Sequence, residues 1–266
     1  MSSADASWLD SMPEVYDRCL GPALFAPYAE YVAARAATLA PRTVLELAAG
    51  TGIVTAELVQ ALPDASITAS DLNGAMVAWA SERVPGATWR TADAQQLDFA
   101  DASFDLVVCQ FGVMFFPDKA GAFRETARVL APDGTFLFTT WDSVETSDFP
   151  AALVESAAAV LPDDPPLFLA RVPHGYSDPD AVRADLEAGG LHAETFDRVV
   201  LPGTALSART VAEGFCLGSP MRFELQQRGD LTELVEAIGA EMTARLGSGP
   251  LSRDNSAYVV TARRSG

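Results

Sequence analysis

Between Thr43 and Trp141, short apolar runs alternate with stretches whose apolar residues recur at helical spacing. "TVLELA" (43–48) predicts a buried strand, and residues 52–62 predict a helix that Pro63 stops. "SITASD" (66–71) predicts a second strand. A helix from Asn73 to Val84 follows, with Asn73 as its N-cap. "ATWRTAD" (87–93) predicts a third strand. "FDLVVCQF" (104–111) predicts a fourth, apolar enough to belong at the centre of a sheet. "DKAGAFRETARVL" (118–130) is amphipathic, with Phe123, Ala127 and Leu130 on one face. Pro132, Asp133 and Gly134 predict a turn, and "GTFLFTTWD" (134–142) a fifth strand.

The flanks are less regular. Residues 1–12 read as a loose tail, and a helical pattern runs from Pro22 to Pro41. After the fifth strand come a helix with a glycine stop (178–190), a strand (193–201), helical stretches (207–246) and a last strand (255–264). There is no internal repeat and no linker rich in Gly, Ser or Pro, so residues 1–266 read as one domain. Strands alternating with helices predict an α/β fold, doubly wound around a parallel sheet with right-handed crossovers. Such sheets bind ligands beyond the carboxyl ends of their strands, which gathers all five strand ends around one site.

Charge and cysteine usage narrow the partners. The formal net charge is -18, with 36 acids against 18 bases. Such a surface repels phosphate backbones and anionic membranes, so nucleic acid is excluded as a substrate and membrane insertion is not expected. No apolar stretch is long enough to span a bilayer, and "MSSADASWLDSMPEVYDRCL" has acids where a signal peptide needs basic residues. Cys19, Cys109 and Cys216 are isolated, which fits a reducing cytoplasm better than a disulfide framework. The expected location is cytoplasmic and no metal is expected.

Two cofactors compete for the loop after the first strand. Gly50, Gly52 and Asp71 fit a dinucleotide fingerprint, but its third glycine position holds Thr55. Glu46 would also oppose a pyrophosphate. S-adenosylmethionine (SAM) has no phosphate, and carries a sulfonium and an ammonium group that Glu46 can attract. Gly50 lets the backbone pass close to the nucleoside. Asp71 can accept from both ribose hydroxyls, and Leu72 can lie on the adenine. Asp93 can accept from the adenine amine while the Ala94 amide donates to the ring. Gln110 and Phe111 end the fourth strand, where the methionine tail would lie.

Through "VLELAAGTG" (44–52), "SDLNGAM" (70–76), "ADAQQLDFADASFDLVVCQFGVMFF" (92–116) and "ETARVLAPDGTFLFTTW" (125–141), the sequence resembles the class I SAM-dependent methyltransferases. Within these it is most similar to the ubiquinone/menaquinone-biosynthesis (type 11) enzymes. The resemblance implies a Rossmann-like, seven-stranded sheet with an antiparallel last strand, SAM as cofactor and S-adenosylhomocysteine as product. It adds Met76, in "SDLNGAM", and Tyr16, from the N-terminal helices over 13–40, to the cofactor residues. There are two departures from the family pattern. The usual first glycine is Ala48, which implies a backbone there that needs no left-handed conformation. About fifty residues (202–254) separate strands six and seven, a helical insert that could cap the site or meet a second copy of the chain.

The acceptor is expected to be an apolar or aromatic small molecule. Phe115, Phe116 and Trp141 stand near strand ends, and the resemblance makes the segment around 143–177 a lid. His174 and Tyr176 in that lid are the general-base candidates, and His174 is also a candidate acceptor contact. A SAM-binding protein without methyl transfer and a nicotinamide-dependent oxidoreductase remain as alternatives.

Overall fold

A computed structural model describes residues 12–265 of the chain, so all of the expected tail except Met12 lies outside the described residues. Met12 itself begins a helix, α1 (Met12–Leu20), where it is fully buried. The helical pattern thus starts well before Pro22. Proline has no N–H for the preceding turn, and a wide turn over Gly21–Phe25, closed by the Ala26 amide on the Gly21 carbonyl, carries the chain into α2 (Ala26–Leu39).

The chain forms two compact units. One contains Tyr28–Trp141, Tyr176–Val199 and the residues from Ala257 on. Its elements begin with β1 (Thr43–Glu46), α3 (Ile53–Ala61), β2 (Ser66–Asp71), α4 (Gly74–Arg83) and β3 (Thr88–Thr91). Next come β4 (Phe104–Gln110), α5 (Lys119–Val129) and β5 (Leu130–Trp141). Asn73 caps α4 by accepting from the Ala75 amide, and Asp118 caps α5 by accepting from Gly121.

The seven-stranded sheet runs β3-β2-β1-β4-β5 and continues through β7 (Leu251–Arg264) to β6 (Leu191–Ala205). β1 to β5 pair in parallel, and β7 lies antiparallel to β5, from Phe136 opposite Ala262 to Trp141 opposite Ala257. β4 is the central strand, and its Leu106, Val107, Val108 and Cys109 are fully buried. Ala29, Val32 and Ala36 of α2 and Val54 and Leu58 of α3 pack with Val44, Ile67, Leu106, Val108 and Leu137 of the sheet. Each such large side chain contributes about 1.5–3 kcal/mol by leaving water.

Two expectations need correction. The Pro132–Gly134 turn does not separate helix from strand. β5 starts at Leu130, and the turn is absorbed as a bulge, with Phe104 facing Leu130 and Leu106 already facing Thr135. The buried stripe of α5 is Ala122, Phe123, Thr126 and Val129, while Ala127 is only half-buried. Phe123 sets the stripe by packing on Phe136 and Phe138 of β5.

The other unit contains the described residues up to Pro27 together with Asp142–Gly175 and Val200–Ser256. It is mainly helical, built from α1, α6 (Asp148–Val160), α7 (Phe168–Arg171), α9 (Ala208–Gly218), α10 (Met221–Gln226) and α11 (Leu231–Leu246). The intervening α8 (Pro179–Ala188) belongs to the sheet unit and packs on α5. α9 packs on α1 and α11, and α11 also packs on α6. Among the described residues no helix is long and apolar enough to cross a membrane.

Candidate cofactor site

The loop from Leu47 to Gly52 is stitched to both neighbouring strands. The Leu47 amide donates to the Val108 carbonyl of β4 at 2.8 Å, and the Ala49 amide to the Ser70 carbonyl of β2 at 2.9 Å. Along this loop the backbone turns left-handed three times, at Ala48 (φ 53), between the two ties, and at Gly50 (φ 56) and Gly52 (φ 87) beyond them. Gly52 suits its place, because any other residue would be strained at φ 87 and its Cβ would stand 3.1 Å from the Trp89 ring and 3.2 Å from Ala80. Among the described residues, a Cβ on Gly50 would meet nothing within 4 Å.

Ala48 corrects the sequence expectation. Its backbone is left-handed although it carries a Cβ. The two flanking amide bonds force the turn, and the cost for a non-glycine residue is on the order of 1–2 kcal/mol.

Asp71, at the end of β2, closes the loop from the other side. Its Oδ2 accepts from the Gly50 amide and its Oδ1 from the Asn73 amide, both at 2.8 Å. Burial pushes this carboxyl above its ordinary range, against the pull of the two amides. Leu72 beside it is 64 % exposed, an uncovered apolar side chain next to the acid. Met76, one turn into α4, is buried.

Glu46 is 1 % exposed. The Thr55 hydroxyl, from the first turn of α3, donates to its Oε2 at 2.6 Å. Burial raises the Glu46 pKa to about 8 despite that bond, and the charge of Asp71 adds to the rise. Thr55 is thus more than a residue standing where a glycine was missing, and the sequence pattern did not reveal the pair.

The other strand ends place the remaining candidates. Asp93 forms a turn, its Oδ1 accepting from the Gln95 amide at 2.9 Å, and Ala94 is buried beside it. Gln110 ends β4 half-buried. Phe111 is left-handed (φ 53), held by Thr139 through the carbonyl and the hydroxyl. Its ring stacks on Trp141 with centroids 3.6 Å apart, and Tyr28 meets both rings edge-on. Both Phe111 and Trp141 are buried, whereas Phe115 and Phe116 are half-exposed.

The base candidates are already engaged. Tyr176 donates its hydroxyl to Asp185 at 2.8 Å, and burial pushes its pKa up, so the phenol keeps its proton. Lys119 lies over its ring and donates to the Phe116 carbonyl. In the helical unit, burial lowers the His174 pKa to about 4, so the imidazole is neutral. Its Nδ1 lies 2.7 Å from the Asp142 carbonyl and must donate, which leaves the acceptor lone pair on Nε2. Tyr16, in the same unit, stacks on Phe25.

A second feature missed in the sequence lies in "ETARVL". Arg128 pairs with Glu125 and Asp101 and donates to the Leu97 and Phe99 carbonyls, while Glu125 accepts from the Leu97 amide. This clamp fixes the segment that follows Asp93. A cavity of about 220 Å³ lined by Arg90, Thr91, Ala92, Asp98 and Phe99 opens there and contains none of the candidate residues. Among the described residues no group of three His, Cys, Asp or Glu could hold a metal ion.

Residues 45–138 match the family described as a methyltransferase domain. The demethylmenaquinone methyltransferase of Chlorobaculum parvum is 37 % identical over 91 residues, 34 % of this chain and 37 % of that one. The malonyl-[acyl-carrier protein] O-methyltransferase of Halorhodospira halophila is 36 % identical over 107 residues, 38 % of this chain and 35 % of that one. The match therefore spans little more than a third of these curated relatives. Among solved structures, a phosphoethanolamine N-methyltransferase 2 of Haemonchus contortus, in complex with phosphomonomethylethanolamine and S-adenosylhomocysteine, has a TM-score of 0.61. It shares 14 % identity, and the likeness covers 100 % of this chain and 61 % of that one, which supports the fold.

Proposed function

We propose that this chain, which carries a class I methyltransferase domain similar to those of ubiquinone and menaquinone biosynthesis, moves the methyl group of SAM to an apolar or aromatic small molecule. The observation that carries the reading is the pair of acids bracketing one open loop. Glu46 stands before it and Asp71 is tied to Gly50 within it. A buried acid with no cationic partner among the described residues suits the ammonium of SAM and opposes a pyrophosphate.

The roles follow from the strand ends. Asp71 keeps lone pairs beyond its two amide bonds for the ribose hydroxyls, and Leu72 covers the adenine. Asp93 and Ala94 take the adenine edge, and Gln110 and the Phe111 backbone take the methionine end. Met76 supports the α4 side, and Ala48 shapes the loop. Transfer from a sulfonium is a direct displacement, so the protein's task is to align the acceptor and exclude water. Phe115 and Phe116 offer the acceptor an apolar surface, and Trp141 acts from behind by fixing Phe111. The chain acts in the cytoplasm, alone or as a pair of copies.

The acceptors named for the relatives, demethylmenaquinone and malonyl-[acyl-carrier protein], are chemically unlike, so neither is assigned to this chain. The test is formation of S-adenosylhomocysteine from SAM across a panel of phenols, quinols and amines. Turnover with at least one member supports methyl transfer. Tight SAM binding without turnover on any member would favour a SAM-binding role instead.

A further inference from the structure

We propose that Thr55 is a positioning residue which, through Glu46, makes the site select ligands carrying the methionine ammonium over those lacking it. The inference rests on reading Glu46 as the ammonium acceptor. Both side chains are buried, Thr55 at 0 % and Glu46 at 1 % exposure, and the hydroxyl donates to Oε2 at 2.6 Å. A glutamate has three side-chain torsions, and this bond fixes the last of them. Oε1 accepts from no described residue, so one oxygen is held and the other remains for a ligand.

The charges around Glu46 point the same way. Asp71 of β2 raises its pKa, and Cys109 of β4, itself pushed upward by burial, keeps its proton. No Lys, Arg or His contributes to Glu46. Among the described residues Glu46 thus has one neutral donor and no cation, an arrangement completed by a cationic ligand. Thr55 is the third residue of α3, the helix that Gly52 starts. The same turn that shapes the nucleoside loop therefore also sets the acid.

Calorimetry with SAM, S-adenosylhomocysteine and 5′-methylthioadenosine, which lacks the amino-acid end, separates positioning from packing. Thr55→Val should weaken the first two on the order of tenfold and leave 5′-methylthioadenosine within about twofold. Thr55→Ser should restore them. The bond lowers the Glu46 pKa, so its loss should move the pH midpoint of SAM binding upward. Should Thr55→Val not fold, Thr55→Ala takes its place. Parallel loss of all three ligands, or unchanged SAM affinity, overturns the inference. A wild-type protein that binds 5′-methylthioadenosine but not SAM overturns it too, through Glu46, whereas one that binds none of the three refutes the cofactor reading itself.

Discussion

A Cβ placed on Gly112 would fall 2.5 Å from the Cβ of Ala48 and 2.7 Å from the Cys109 sulfur. The alanine that replaces the usual glycine of the cofactor loop has thus taken the space that Gly112 leaves. Gly112→Ala should destabilise the protein by about 1–3 kcal/mol through overpacking. Ala48→Gly should stabilise it by up to about 1 kcal/mol by relieving the left-handed alanine. In the double variant part of the Gly112→Ala loss should return, the Cys109 contact keeping the rest. Urea unfolding of the three variants checks this. Strict additivity would mean that the two residues do not share the space.

Glu46 has a folded pKa of about 8 against an ordinary 4.5. The folded state therefore binds a proton more tightly than the unfolded one. Glu46 costs nothing below about pH 4.5, and its burial lowers stability progressively as pH rises toward 8. Glu46→Gln should flatten this decline, so the variant gains on the wild type between pH 5 and 8 by roughly a few kcal/mol. Unfolding midpoints across that range provide the check.

His174 has the opposite sign. Its pKa is lowered from 6.5 to about 4, so the unfolded state binds the extra proton. Stability should rise with pH from 4 to 6.5 on its account and stay level above. His174→Asn should remove that rise. A methyl-transfer profile with an inflection near 6.5 that disappears in His174→Asn would contradict a neutral, buried imidazole.

Arg128 and Glu125 tie residues 97–101 to α5: Arg128 donates to the Leu97 and Phe99 carbonyls and the Asp101 carboxylate, and Glu125 accepts from the Leu97 amide. Arg128→Ala should speed amide exchange at Leu97 and across the loop to Phe104 while leaving β1 and β4 protected. The pairs are partly exposed, so the stability loss should stay near about 1–2 kcal/mol.

The sheet was readable because its strands are short apolar runs bounded by Pro, Gly and Asn, and the central place of β4 followed from its lack of a polar face. Asn73 and the strand-end acids Asp71 and Asp93 were readable for the same local reason. The left-handed Ala48 was not, because its conformation is imposed by amides reaching Val108 and Ser70, far off in sequence. The Thr55–Glu46 bond was hidden likewise, since it depends on the angle at which α3 leaves the loop. The π-helical turn at Pro22 and the bulge at Pro132–Gly134 show prolines that mark a break without saying how the chain passes it.

The central claim is that Asp71 and Glu46 hold SAM across the Gly50 loop. Calorimetric titration of SAM into the wild type and into Asp71→Ala tests it most directly. The account predicts saturable binding to the wild type and a loss of at least about tenfold in the variant, which leaves the ribose and the Gly50 amide without their acceptor. Absence of binding to the wild type at millimolar SAM, or equal affinity in both proteins, would contradict it.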